Sequence, residues 1–314
     1  RIILTSKPVS AVRSKSKRII IPGFHGLPLY DVYKFFVTQI QKEGLSVRAA
    51  AISFNVFLAV PATCIFLFTL LPYLPVAKTL HLEMLRIIED ISPNKDTKDV
   101  IKEFINDFFH KKQSGLLSIG FVLALFYSSN AMMGIISTFD RSLFHKTETN
   151  FIEKRLRAIK LTLIMILLIL ATALVSAGQG VLFNNIMNWL NITNATTKSL
   201  IQNLRWLVII LLFLFSIAFI YKYAPSVHKR WQLFTPGALL ATFLMVAATY
   251  LFSIWATNFS TYDKFYGSIG ALLMIMMLIF MNSLVLLIGY ELNVSIKHLN
   301  KLAEERKKLE SNNV

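Results

Sequence analysis

Cysteine is nearly absent: the one cysteine, Cys64, sits inside an apolar run. That excludes a disulfide framework, or a cysteine-based zinc site, built within this chain. Acids are scarce too, with 17 Asp and Glu against 33 Lys and Arg. Charged residues of both signs reach only 16%, where a soluble domain carries about 25%. Ready-made catalytic patterns are missing. The six histidines, His25, His81, His110, His145, His228 and His298, are scattered, and no His-Glu-x-x-His, Gly-x-Ser-x-Gly or P-loop is present. The acids lie in loops without a paired-carboxylate arrangement. The sequence therefore offers no catalytic residue, no metal site and no cofactor site, and it excludes an ATP-driven pump within this chain. The expectation is a protein that is not an enzyme.

What is abundant is hydrocarbon. Hydrophobic residues make up 55% and the mean hydropathy is +0.57. Six uncharged runs lie between the charges: Ala49 to Ala77, Gln113 to Phe139, Leu161 onward, Trp206 to Tyr221, Trp231 to Tyr262 and Phe265 to Tyr290. A helix needs about 20 apolar residues to cross a ~30 Å hydrocarbon core. Five runs meet this. The fourth has 16 residues, so Arg205 and Lys222 are expected to snorkel to the two interfaces. The fold class expected is an all-α membrane protein, a six-transmembrane-helix bundle with amphipathic surface helices. The spans expected are about 50–74, 115–138, 161–183, 205–222, 234–257 and 267–290.

The distribution of cations accounts for the net charge of +16 and sets the topology. With the N-terminus inside, the inside segments hold 23 Lys and Arg and the outside segments 10. The positive-inside rule then places both termini in the cytoplasm of a multi-pass inner-membrane protein. It also removes the need for a nucleic-acid partner to explain the charge. Residues 1–28 read as a basic cytoplasmic tail rather than a cleavable signal peptide. Residues 29–293 form the membrane domain, and 294–314 a charged helical tail. Residues 29–43 predict an amphipathic helix with Leu29, Val32, Tyr33, Phe36, Val37 and Ile40 on its apolar face. Two more, about 78–91 and 97–111, are expected in the first outer loop, as a lid or as helices resting on lipid or on the bundle.

Polar residues at membrane depth need partners, so they should face the bundle interior or a wet cavity. They are Asn55, Ser128, Ser129, Asn130, Gln179 and Asn282. They line an intramembrane polar path or serve as hydrogen-bonding glue between helices. Pro61 lies mid-span and predicts a helix kink, which either shapes packing or opens a polar site. Arg48, Asp140, Arg141 and Glu291 gather at the cytoplasmic rim, as one ion-pair cluster or as separately solvated charges. No charged residue lies near a span centre, so a buried-carboxylate proton relay is not expected.

Several stretches resemble one family. They are Arg48-Ala-Ala-Ala-Ile-Ser-Phe-Asn-Val-Phe-Leu-Ala-Val-Pro61, Tyr221-Lys-Tyr-Ala-Pro225 with Pro236-Gly237-Ala238, and Phe252 to Tyr262 followed by Tyr266-Gly-Ser-Ile-Gly-Ala271 and Gly289-Tyr-Glu-Leu-Asn293. Together they look like the YihY/virulence factor BrkB family of bacterial membrane proteins. Asn55 stands where the family pattern has an aromatic such as Tyr. The resemblance implies six spans, a bacterial inner membrane and no settled biochemical activity. It also carries an old label, ribonuclease BN, and links to serum resistance and to export of small molecules. Three functions are open at this point. One is a transporter or exporter of a small or amphipathic solute. The second is a non-transporting envelope protein that binds lipid or a partner. The third is a tRNA-processing nuclease, for which the clustered metal ligands are missing. The partners expected are the lipid bilayer and a small solute, not nucleic acid, with an oligomer possible.

Overall fold

The structure is a computed structural model. It describes residues 26–42, 44–73, 114–143, 148–177, 195–227, 231–258 and 268–312, together with residues 81, 85, 102, 103 and 106. The described residues are all-helical, with no strand. In chain order the helices are α1 (Leu29–Lys42), α2 (Leu45–Leu70), α3 (Ser114–Ser142), α4 (Phe151–Ala177), α5 (Ala195–Tyr223), α6 (Pro236–Asn258) and α7 (Ser268–Asn312). One 3-10 turn, Leu71–Tyr73, follows α2. It forms at Pro72, which cannot continue the helical hydrogen-bond ladder.

Among the described residues four helical segments are long and apolar enough to cross a membrane: Leu45–Leu67, Leu117–Ser142, Pro236–Ala256 and Leu272–Ser311. A shorter apolar stretch, Leu207–Tyr223, lies in α5. The described part of α4 stops at Ala177, short of the expected span end at 183. The count of six thus depends on α4 and α5. Both expected outer-loop helices lie almost wholly outside the described residues. Within them, His81 Nε2 and Asn106 Oδ1 are 2.7 Å apart.

The chain divides into two compact units, Arg1–Phe54 with Met132–Val314, and Asn55–Ala131. In the smaller unit the rest of α2 meets the first half of α3. Gly120 lets α3 come within van der Waals reach of the α2 backbone at Phe66, and the Phe66 and Phe121 rings lie 5.4 Å apart. Pro61 sits inside α2, with no N–H to give to the carbonyl of Phe57.

In the larger unit α6 packs along α7, α5 packs against α4 and α6, and α1 packs against α7. At about 1.5 Å per residue α7 is some 68 Å long. That is more than twice the hydrocarbon thickness, so its charged second half projects beyond the membrane. Helix α1 docks there through Val32, which packs against Leu292, Ile296 and Leu299, and the Phe35 ring stacks on His298 at 5.3 Å. Tyr33, expected on the same apolar face, is 60% exposed. The apolar sector of α1 is wider than one helix contact, so α7 covers only its Val32 side.

The α6–α7 crossing is the tightest contact. Thr235 precedes Pro236, a residue suited to a first helical position, and its Oγ1 accepts from the Ala238 N–H at 3.3 Å. Gly237 follows at the crossing with Gly289 of α7. A methyl added to Gly289 would lie 2.6 Å from the Gly237 carbonyl oxygen and 2.7 Å from the Ala241 Cβ. Asn293 Oδ1 accepts from the Gly237 N–H at 2.8 Å, and its Nδ2 donates to Thr235 Oγ1 at 2.8 Å. The side chain on α7 thus completes the capping of α6.

Because both backbones meet here, Gly237→Ala and Gly289→Ala should each destabilise the protein by about 1–3 kcal/mol, the usual cost of overpacking. Gly115→Ala, at a site with nothing within 4 Å, should leave stability unchanged. Thermal unfolding in detergent micelles reads the difference.

Candidate functional site

Arg48 lies in the first turn of α2, just after Gly44. Gly44 has φ 57°, a left-handed conformation that favours glycine, and it lets the chain turn sharply from α1 into α2. Its carbonyl accepts the Arg48 N–H at 3.3 Å. The Arg48 side chain is buried, 6% exposed, and Glu291 of α7 is wholly buried. Arg48 Nη1 donates to Glu291 Oε1 at 3.0 Å. Arg48 Nη2 donates to the Thr138 carbonyl at 2.7 Å. It also donates to Ser142 Oγ, whose hydroxyl donates in turn to Glu291 Oε1. One guanidinium therefore fastens the start of α2, the end of α3 and the middle of α7.

A second polar cluster hangs on the same turn of α3, from Asp140 between Thr138 and Ser142. Asp140 accepts from the Ser226 N–H at Oδ1 and from the Ser226 hydroxyl at Oδ2, both at 2.9 Å. Lys154 Nζ of α4 stands 3.4 Å from Asp140 Oδ2. Arg157, one turn on, donates to Ser226 Oγ at 2.7 Å. Asp140 thus ties the turn after α5 to the end of α3, with α4 supplying the cations. Arg141 is exposed and takes part in neither cluster. The four rim charges therefore separate into two buried clusters and one exposed cation.

An aromatic stack stands beside the two clusters. Phe139 lies parallel to Tyr290, centroids 3.7 Å apart, and Trp231 covers Tyr290 from 5.2 Å. Lys297 Nζ lies 5.2 Å from the Trp231 ring. Tyr221 meets Phe139 edge-on at 5.8 Å, and its hydroxyl donates to the Leu286 carbonyl at 2.6 Å. Among the described residues the Tyr290 hydroxyl, the Ser295 hydroxyl and Trp231 Nε1 are buried without a hydrogen-bond partner. Each such group costs about 1–3 kcal/mol relative to a satisfied one.

The polar residues expected at depth fall in different places. Asn55, Ser128, Ser129 and Asn130 belong to the smaller unit. Ser128 Oγ lies 3.4 Å from Thr63 Oγ1 across the α2–α3 pair. Ser129 is buried and returns its proton to the Phe126 carbonyl at 2.9 Å. Asn55 and Asn130 are half-buried. Asn282 belongs to the larger unit, where its Nδ2 donates to the Leu278 carbonyl at 3.1 Å and meets Thr249 Oγ1 of α6 at 3.4 Å. Gln179 lies outside the described residues. No group of three or more His, Cys, Asp or Glu suited to a metal ion occurs among the described residues.

Sequence reasoning missed Ser142, Ser226, Lys154 and Arg157, which complete the two clusters. Ser142 and Ser226 carry no charge and no motif. Lys154 and Arg157 had a signal: they sit three apart on one face of α4, with Ala158 and Leu161 buried beside them.

The sequence profile described as Virulence factor BrkB matches residues 36–314. The ribonuclease-like protein YfkH of Bacillus subtilis is 26% identical over 263 residues, covering 84% of this chain and 94% of that one. A UPF0761 membrane protein of Tolumonas auensis is 25% identical over 276 residues, 87% of this chain and 88% of its own length. Another, from Psychromonas ingrahamii, is 23% identical over 283 residues, 88% and 91% of the two chains. No solved structure matches.

Removing one partner of a buried ion pair strands the other charge. Arg48→Gln and Glu291→Gln should each cost about 3–5 kcal/mol, and the apolar double variant Arg48→Met/Glu291→Leu should recover most of it. Denaturation in detergent, set out as a double-mutant cycle, reads this. The two tyrosines should behave oppositely. Tyr221→Phe, losing a made hydrogen bond, should destabilise by about 1 kcal/mol, whereas Tyr290→Phe, removing an unpartnered hydroxyl, should be neutral or stabilising.

Proposed function

The chain belongs to the virulence factor BrkB family, and from that premise we propose that this integral membrane protein is a transporter or exporter of a small or amphipathic solute. In this reading α4 and α5 bring the spans to six, both termini face the cytoplasm of an inner membrane, and the chain is not an enzyme. The carrying observation is the buried Arg48–Glu291 pair bridged by Ser142. A charged contact of this kind is a poor way to gain stability, because desolvation offsets most of the attraction. It is a good way to hold an end that must open, since water can take over each charge when the helices part. The three unpartnered buried groups support the same reading. Tyr290, Ser295 and Trp231 are strained for partners in the closed arrangement and gain them in a hydrated one.

The latch fastens the start of α2 and the end of α3. The other halves of the same two helices carry Asn55, Ser128, Ser129 and Asn130, which in this proposal contact the solute, while Asn282 joins α6 to α7. The name of the Bacillus relative as ribonuclease-like belongs to that protein. In the proposal made here, purified protein leaves tRNA intact in the presence of divalent metal.

Proteoliposomes test the proposal. A panel of small organic cations, organic anions and amphipathic dyes is offered to the protein and to Asn130→Leu. The wild type should move at least one class, and the variant should move it about tenfold more slowly, the loss of roughly 1.4 kcal/mol of transition-state stabilisation. Equal flux from both would sink the assignment of Asn130, and flux from neither would favour a non-transporting envelope protein.

A further inference from the structure

We infer that the first three turns of α4 form a binding site for an anionic phospholipid, independent of any transport role. The two sides of this segment have opposite fates. One side is spent on protein: Lys154 on Asp140, Arg157 on Ser226, with Ala158, Leu161 and Thr162 buried. The other is bare. Phe151 is 75% exposed, Ile152 70% and Leu156 52%, and exposure continues at Leu163 and Leu167. Ile152, Leu156, Leu163 and Leu167 recur at helical spacing, so they form one outward stripe.

That stripe begins nine residues before the uncharged run opens at Leu161, which is about 14 Å of helix. In an aqueous protein a stripe of Phe, Ile and Leu this exposed has no stable surroundings. The stripe is therefore covered by lipid down to the headgroups.

Cations supply the sign of the headgroup. Arg155 and the exposed Lys160 flank the stripe on either side of Leu156. One exposed acid, Glu153, sits in the first turn of α4, where it answers the positive helix end. Long basic side chains beside an apolar surface lay their stems on acyl chain and reach the phosphate layer with their heads. A lipid with its chain along Ile152, Leu156 and Leu163 and its anionic headgroup between Arg155 and Lys160 meets both demands.

Spin-labelled phosphatidylglycerol and phosphatidylcholine, compared by electron spin resonance on the full chain in proteoliposomes, test this. The wild type should prefer phosphatidylglycerol. Lys160→Gln should lower that preference roughly fivefold, the worth of one surface cation near anionic lipid. Arg155→Gln/Lys160→Gln should bring it to the phosphatidylcholine level, and Lys160→Arg should keep it. Lys301→Gln, an exposed cation 3.9 Å from Glu305 on the projecting part of α7, should change nothing. Lys160 lies outside both buried clusters, so its single variant keeps the test open should the double variant fail to fold. A wild type without preference, or a Lys160→Gln variant that keeps it in full, overturns the proposal. Loss of preference with solute flux intact separates it from the transport reading.

Discussion

A guanidinium taken out of water must be given its hydrogen bonds back, and the larger unit is arranged around that need. Arg48 is nearly sealed, so its donors require a carboxylate, a carbonyl and a hydroxyl at fixed directions. Those come from Glu291, Thr138 and Ser142, on two helices far away in sequence. Satisfying one side chain thus sets the approach of α2, α3 and α7 at one end. The Asp140 cluster repeats the principle on the same turn of α3, with the carboxylate as the buried charge and the turn after α5 as the donor.

Polar clusters define direction but contribute little net stability, so the close packing around them matters. The backbone contact at Gly237 and Gly289 is possible only because neither residue has a side chain. In lipid, where burial of apolar surface between helices gains little, such close approach is a principal source of helix attraction. The stack of Phe139, Tyr290 and Trp231 fills the space beside it. Asn293 uses both ends of its amide to bind the start of α6. These contacts all use the segment from Gly289 to Asn293, which explains in physical terms why that short run stands out in the sequence.

The helices were legible because hydrocarbon imposes a simple demand on composition, and the uncharged runs at Ala49, Gln113 and Trp231 answer it. The end of α2 at Pro72 follows the same logic, since proline removes a donor wherever it falls. The partners of the charges were not. Arg48 and Glu291 lie 243 positions apart, and no periodicity connects them. Whether a rim charge is sealed or solvated depends on tertiary packing, which is why Arg141 and Asp140, neighbours in sequence, end in opposite environments. The face of α1 was half legible. Its apolar sector was visible, but only packing decides that Val32 turns to α7 while Tyr33 stays outside.

Helix α1 gives the arrangement a mechanical property. It is tied to α7 through Val32 and Ile296, and it runs through Gly44 into α2, which is tied to α7 again through Arg48 and Glu291. Residues 291 and 296 lie little more than one helical turn apart. Three struts therefore meet in a closed triangle, with Gly44 at the corner between α1 and α2. A triangle cannot shear while its joints hold, so any displacement of α2 along α7 has to begin by releasing the greasy joint or the charged one. A force applied to the projecting end of α7 reaches both joints at once, which makes that end a handle on the helices inside the bilayer.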